Sequence, residues 1–232
     1  MSNARRVYAS IDWRGFDGNE VLLPICPRSP NVQGRNLTKM LDAMTPRISS
    51  VHVIMCDYMD RYNLDGDGDK ALAQSQAWQK QYLPEIRERF DKVELTDWLS
   101  IMRAEGFAER LDTLSGLYDV NPEIRRVIDI NVQIYLDAKV GRLTEIGTGD
   151  IDIAAITENS KRYLIEEYAG TALYKNFLKH PAEIYWGVYI DDLDVFQRHA
   201  HKVDLSLPVT LPVFNSRLGA SLASIKPLAK AA

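Results

Sequence analysis

Residues 20–31 read EVLLPICPRSPN, an apolar run that stops abruptly at Cys26 and gives way to a Pro/Arg/Ser/Pro loop. A continuous apolar run of this length suits a parallel strand covered on both faces. Behind it, residues 36–44 carry Leu37, Met40, Leu41 and Met44 at i, i+3, i+4 and i+7, the apolar face of a helix. A second short run, VHVIM at 51–55, is closed by Cys56 and Asp57. Strand, helix, strand in that order is a βαβ unit, expected to cross over right-handed.

Working outward, the acidic, Gly-broken stretch NLDGDGD at 63–69 predicts a loop, followed by a long helix over 70–90 and a short third strand at 92–95. Two further helices are expected over 123–141 and 151–178, separated by a turn at Gly147 and Gly149. EIYWGVYI at 183–190 is aromatic and β-branched and predicts a late strand. From 205 onward, Pro208, Pro212 and Pro227 predict irregular chain or one edge strand. The pattern is a three-layer α/β domain with a helical insertion. Its expected organisation is an N-terminal extension over 1–19, a single catalytic domain over 20–215 and a flexible tail over 216–232.

Bulk composition narrows the class. The 232 residues are 46% hydrophobic and 26% charged, with a formal net charge of −4, which is ordinary for a soluble protein and gives no general preference for nucleic acid. No apolar run reaches membrane-spanning length, so no membrane partner is expected. The first 20 residues are broken by Arg5, Arg6, Asp12, Asp17 and Glu20 and hold no secretory apolar core. The two cysteines, each at the end of a strand-like run, point to a reducing, cytoplasmic setting.

The candidate chemistry sits where these strands end. In an open parallel sheet, ligands bind beyond the carboxyl ends of the strands, where strand order reverses. Cys26 and Cys56 both fall at that edge. A thiol there, near a helix start and Arg28, has usable thiolate character. The plainer reading of Cys26 is a small buried hydrophobe. Arg28, Cys56 and Asp57 are the neighbouring candidates for substrate binding. Farther on, YLIEEYA at 163–169 puts Tyr163 and Glu167 at i, i+4 on one helix face. A carboxylate can hold an ammonium group or take a proton, and a phenol can orient it. The plainer reading is a solvated stripe formed by Lys161, Arg162, Glu166 and Glu167. The DGDGD run at 65–69 lacks the glycine and the glutamate that a calcium loop needs and predicts only a turn. His199 and His201 make a poor zinc pattern, and no metal or cofactor is expected. Neither GxGxxG, GxxxxGK[ST] nor GxSxG occurs.

Together these segments resemble the tRNA-dependent cyclodipeptide synthases. That family carries a His, apolar residues, Gly, an apolar residue, a catalytic Ser, two variable residues and then Asn-Ser-Tyr. EVLLPICPRSPN follows the same spacing, with Cys26 in the place of the serine. A second family motif runs Tyr, apolar, two variable residues, Glu, one variable residue and Pro. YLIEEYA matches it at Tyr163, Leu164 and Glu167, with Ala169 for Pro. The resemblance spans about residues 20–200. It implies a Rossmann-like parallel sheet flanked by helices, similar to the catalytic domains of class I aminoacyl-tRNA synthetases. It also implies a reaction that joins two aminoacyl-tRNAs into a cyclic dipeptide, a diketopiperazine, without ATP.

On that resemblance, Cys26 holds the first amino acid as a thioester, and Glu167 with Tyr163 grips its α-ammonium group. A late-strand tyrosine serves cyclisation, for which Tyr185 and Tyr189 both stand on one face of the 183–190 run. Pro24, Cys26, Ser29 and Ala169 depart from the two motifs, and Ser29 is a second candidate nucleophile. The family's basic tRNA-binding helix corresponds to 70–90, where Lys80, Arg87 and Arg89 are the candidates, diluted by Glu85 and Glu88. The partners implied are two aminoacyl-tRNAs as substrates, for a monomeric enzyme. Two other readings stay open: a non-catalytic binder of aminoacyl-tRNA or an amino acid on this fold, and an unrelated cysteine-dependent Rossmann-like enzyme.

Overall fold

Strands β2 (Glu20–Ile25) and β3 (Ser50–Met55) pair in parallel from Glu20↔Ser50 to Ile25↔Met55, with helix α1 (Gly34–Met44) between them. This is the βαβ unit that the sequence predicts. The computed structural model describes residues 9–11, 13, 16–145, 147, 151–177, 182–185 and 209–215. Along the strands, side chains alternate between two cores. Val21, Leu23, Ile25, Val51, Val53 and Met55 face Leu37, Met40, Leu41 and Met44 of α1, and Trp78, Leu83 and Ile86 of α2 (Gly68–Arg89). Leu22, Ile54 and Cys56 face the opposite core.

That second core is built from four helices: α3 (Trp98–Arg103), α4 (Phe107–Val120), α5 (Pro122–Glu145) and α6 (Ile153–Thr171). Covering both faces explains why β2 and β3 are apolar apart from their first residues and His52. β4 (Lys92–Asp97) pairs in parallel with β3 and ends the sheet on that side. It carries Lys92, Glu94 and Asp97 on an edge, where charge discourages further strand pairing.

The chain then returns to the other side of β2. β5 (Ala182–Tyr185) pairs with β2 at Leu22↔Glu183, and β6 (Val209–Asn215) lies parallel to β5. A last strand, β1 (Ala9–Ile11), runs antiparallel to β6, so the order is β1-β6-β5-β2-β3-β4. Strand order reverses between β2 and β5. The sheet is therefore parallel across β6, β5, β2, β3 and β4, as expected of a Rossmann-like domain, with one antiparallel edge strand.

Several elements differ from the sequence reading. The 209–215 segment is not an edge strand, because β1 pairs on its outer side. The segment 1–19 contributes that strand. Residues 98–120 form α3 and α4, which the sequence reading leaves without elements. They bury few apolar positions, chiefly Trp98, Ile101, Phe107 and Leu114, and Gly106 separates them at φ +83°. α6 stops at Thr171 rather than running to 178, and a 3-10 turn at Tyr174–Asn176 follows it. β4 runs two residues longer than predicted, to Asp97. Residues 186–190 of the late strand lie outside the described residues. The 65–69 run is a turn, as read: Asp65 takes a left-handed conformation at φ 56°, and Asp67 caps α2 through the Lys70 N–H at 2.9 Å.

Candidate active site

Cys26 is the first residue beyond β2, at the carboxyl edge and at the point of strand reversal. The Ser29 N–H donates to the Cys26 carbonyl at 2.8 Å, closing the Pro27–Arg28 turn. The strand therefore ends in a tight corner that presents the side chain of residue 26 to the second core. α6 crosses the same edge. Its Tyr163 hydroxyl lies 3.3 Å from the Cys26 sulfur, although the two residues are 137 positions apart in the chain. The strand end and the helix do meet.

Tyr163 and Glu167 do not belong to a solvated stripe. Counting along α6 from buried Ile156, residues 160, 163, 167 and 170 fall on the inward face, and Ser160 and Gly170 are buried. Glu167 is half-buried, with burial lifting its carboxyl to about 7. A carboxyl at that value is divided between its two protonation states near neutral pH. Burial raises the Tyr163 phenol well above its ordinary range, with Cys26, Glu167 and Cys56 adding to the effect. It is a neutral hydrogen-bonding group at physiological pH.

Glu166 is also no surface residue; it is 2% exposed. Arg61 grips both of its oxygens, at 2.9 and 2.6 Å. The Trp98 indole N–H donates at 2.8 Å and the Tyr62 hydroxyl at 2.9 Å. Burial, reinforced by Glu166, pushes the Tyr62 phenol up to about 12. The network ties α6 to α3 and to the 3-10 turn Tyr58–Leu64 that follows β3. At Gly170, an added Cβ would stand 2.7 Å from Trp98 Cζ2, so only glycine lets the helix approach this closely. No spacing rule connects Arg61, Trp98 and Glu166, which is why the sequence reading misses the network. The buried Ile165 and Ala169 around Glu166 are the one local clue.

The remaining candidates divide. Cys56, the residue after β3, is buried beside Cys26. Interaction with the Cys26 side chain, then burial, raises its thiol well above the ordinary range. Asp57 is buried with both oxygens engaged, accepting from Tyr58 N at 2.8 Å, Trp98 N at 3.1 Å and Ser75 Oγ at 3.2 Å. That is a structural role at the rim of the site. Arg28 turns toward the 3-10 segment, 3.6 Å from Asp60 Oδ1 and donating to the Asn63 carbonyl at 3.3 Å. Ser29 caps the turn Pro30–Val32 by accepting from Asn31 N at 3.3 Å. Of the two candidate nucleophiles, Cys26 is the one in contact with Tyr163. Tyr185 closes β5 at the same sheet edge, its side chain lying outside the described residues, as does the whole of Tyr189.

On α2, Lys80 and Arg87 are exposed, whereas Arg89 is ion-paired with Asp42 of α1 and, at 3.0 Å, with Glu85. Arg125 and Arg126 line a shallow groove on α5 with Pro122, Asp129, Ile130 and Gln133. His52 is buried in the sheet, bonded to Thr96 Oγ1 at 2.8 Å, and burial lowers its pKa. Among the described residues, no cluster of three His, Cys, Asp or Glu side chains is arranged to hold a metal, and no helix is long and apolar enough to cross a membrane.

No protein-family model and no curated protein matches the chain. Solved structures do. A cyclodipeptide synthase from Fluoribacter dumoffii superposes with a TM-score of 0.76 at 13% identity, covering 90% of this chain and 98% of that one. One from Candidatus Glomeribacter gigasporarum, bound to Phe-tRNAPhe, gives 0.62 at 20% identity, over 84% and 86% of the two chains. AlbC, a cyclodipeptide synthase from Streptomyces noursei, gives 0.56 at 12% identity, over 88% and 99%. The chain thus has the fold of the cyclodipeptide synthases, the Rossmann-like architecture that the segments at 20–31 and 163–169 led us to expect.

Proposed function

We propose that the protein is a cyclodipeptide synthase that takes two aminoacyl-tRNAs and releases a diketopiperazine, with Cys26 as its covalent nucleophile. The observation that carries this reading is the 3.3 Å contact between Cys26 and Tyr163 at the strand-reversal edge of this fold, with Glu167 one helical turn away. The Cys26 sulfur attacks the ester carbon of the first aminoacyl-tRNA and the tRNA ribose oxygen departs, leaving a thioester. Glu167, as carboxylate, holds the α-ammonium group of the bound residue. The amine of the second aminoacyl-tRNA then attacks the thioester carbonyl and displaces the thiol, giving a dipeptide esterified to that second tRNA. The Cys26 sulfur attacks this ester and the second tRNA ribose oxygen departs, giving a dipeptidyl-enzyme. Attack by the first residue's amine on the dipeptidyl thioester closes the ring and expels the Cys26 thiol.

A thioester is readily opened by amines, and a covalent intermediate divides one hard step into easier ones, so sulfur suits the position of the family's serine. Glu167 at about 7 has the affinity to accept the proton that the attacking ammonium must lose. The exposed Lys80 and Arg87 on α2 offer phosphate contacts to tRNA, a smaller set than the sequence suggests because Arg89 is engaged by Asp42 and Glu85.

The test is mass spectrometry of extracts from cells expressing the wild type beside a Cys26→Ala variant. Diketopiperazines present with the wild type and lost with the variant support the reading and name both amino acids. Product from both proteins moves the nucleophile to Ser29. Product from neither, repeated with tRNAs of the native host, turns the reading to a non-catalytic aminoacyl-tRNA binder.

A further inference from the structure

Cys56 stands to β3 as Cys26 stands to β2. The ladder pairs Ile25 with Met55, so the two cysteines are the next residues out, side by side. The Cys56 N–H donates to the Ile25 carbonyl at 2.8 Å, which holds the two strand ends together at this point. Register partners in parallel strands point to the same face, and both thiols pack in the core beneath α6. Neighbouring strands run about 4.8 Å apart. That lies within the Cα separation of roughly 4.4–6.8 Å that a disulfide spans. Both thiols are free. Their exposure differs: Cys26 is reachable from the site, whereas Cys56 is 2% exposed.

We propose that Cys26 and Cys56 are a peroxide-sensitive pair that closes into a reversible intramolecular disulfide, withdrawing the Cys26 sulfur from acyl transfer. A hydroperoxide is the oxidant. It transfers one oxygen to the accessible Cys26 sulfur, giving a sulfenic acid and, from hydrogen peroxide, one water. The Cys56 sulfur then attacks the Cys26 sulfur; the S–O bond breaks, and the hydroxyl leaves with the Cys56 proton as a second water. Two thiols are oxidised and one peroxide is reduced. Burial shields Cys56 from direct oxidation, so the first event falls on Cys26 and the partner is held in reserve. A dithiol reductant reverses the bond by exchange. The proposed pairing is argued from the strand register, and only its effect on activity rests on the proposed reaction.

The experiment is brief treatment of the purified full-length wild type with hydrogen peroxide in the absence of reductant. Free thiols are counted after denaturation and the cysteine peptides are mapped by mass spectrometry. The expected result is that both thiols disappear together, with the mass lower by two hydrogens, one cross-linked peptide carrying Cys26 and Cys56, no dependence on protein concentration, and full return with dithiothreitol. Cys26 advancing to a sulfinic acid while Cys56 still labels overturns the proposal, as does a dimer joined through Cys26. In Cys56→Ala, Cys26 is expected to pass to the sulfinic acid under the same treatment; protection undiminished in that variant also overturns it. If the disulfide forms in a protein that makes no diketopiperazine, the pair stands and the proposed reaction falls. Product without a disulfide gives the reverse.

Discussion

Two adjacent carboxylates on α6 meet the same problem in opposite ways. Glu166 and Glu167 are both drawn from water by the fold, at a cost that an uncompensated charge cannot bear. Glu166 is compensated completely: Arg61, Tyr62 and Trp98 supply four donors to its two oxygens. Glu167, one position on, turns to the Cys26 side of the helix, where burial alone governs it and lifts it to about 7. One residue is fixed so that its neighbour can titrate. The Glu166 network anchors α6 one turn from Tyr163 and so holds the placement of Tyr163 and Glu167 fixed.

The sharpest way to break this contrast is to remove one partner of the anchored carboxylate. Arg61→Ala leaves Glu166 buried without its bidentate cation, and loss of about 3–5 kcal/mol of stability is expected, read by urea denaturation. Replacing both partners, Arg61→Met with Glu166→Gln, should recover much of that loss, since an apolar or neutral pair no longer asks for compensation. If the single and double variants are equally unstable, the pair acts through packing and the contrast with Glu167 is wrong. The opposite behaviour is expected at Glu167. Glu167→Gln should lower kcat/KM by at least about a hundredfold. It should also stabilise the chain in alkali, for a reason whose sign is fixed by the direction of the shift. Between the ordinary carboxylate range and pH 7, the folded protein holds a proton that the unfolded chain has released. This favours folding at acid pH, and the advantage disappears as pH rises through 7. Above pH 7 the variant should therefore exceed the wild type by on the order of 2 kcal/mol. Wild-type kcat/KM should also fall below pH 7 as the carboxylate is protonated, and identical pH profiles for the two proteins would remove Glu167 from the reaction.

A smaller effect is expected where the anchor meets the helix. Gly170→Ala drives a Cβ into Trp98 and should cost about 1–3 kcal/mol, as overpacking does. Because Trp98 also donates to Glu166, activity should fall with stability rather than independently of it, which a kcat measured well below the melting temperature distinguishes.

The same contrast explains what could be read from the chain. The βαβ unit was legible because Leu37, Met40, Leu41 and Met44 keep strict helical spacing between two strand-length runs that are mostly apolar. The place of Cys26 at the carboxyl edge of the sheet was legible because a parallel strand's carboxyl end is fixed by the strand itself. Tyr163 and Glu167 were legible as a pair but not as an inward-facing one, since Lys161, Arg162 and Glu158 share their helix and do pair at its surface. The anchor was not legible at all: Arg61 and Glu166 are 105 residues apart, and a long-range ion pair leaves no period in a sequence. The same holds for Arg89, whose charge was plain and whose capture by Asp42 was not.

The last comparison lies within the site, between the phenol and the thiol. Tyr163 Oη and Cys26 Sγ are 3.3 Å apart, a geometry in which either group can donate. Burial keeps the phenol protonated, so it has a proton to offer. If Tyr163 donates, it supports the sulfur as negative charge develops, and a hydrogen bond of that kind is worth about 1–1.5 kcal/mol. Tyr163→Phe should then slow alkylation of Cys26 by iodoacetamide at neutral pH by roughly five- to tenfold. Thermal stability should change little, because the ring that packs beneath Cys26 is retained. Faster alkylation in the variant would mean that the thiol donates to the phenol and that Tyr163 restrains the nucleophile. Its place in the site would then be to orient Cys26 toward the ester rather than to activate it.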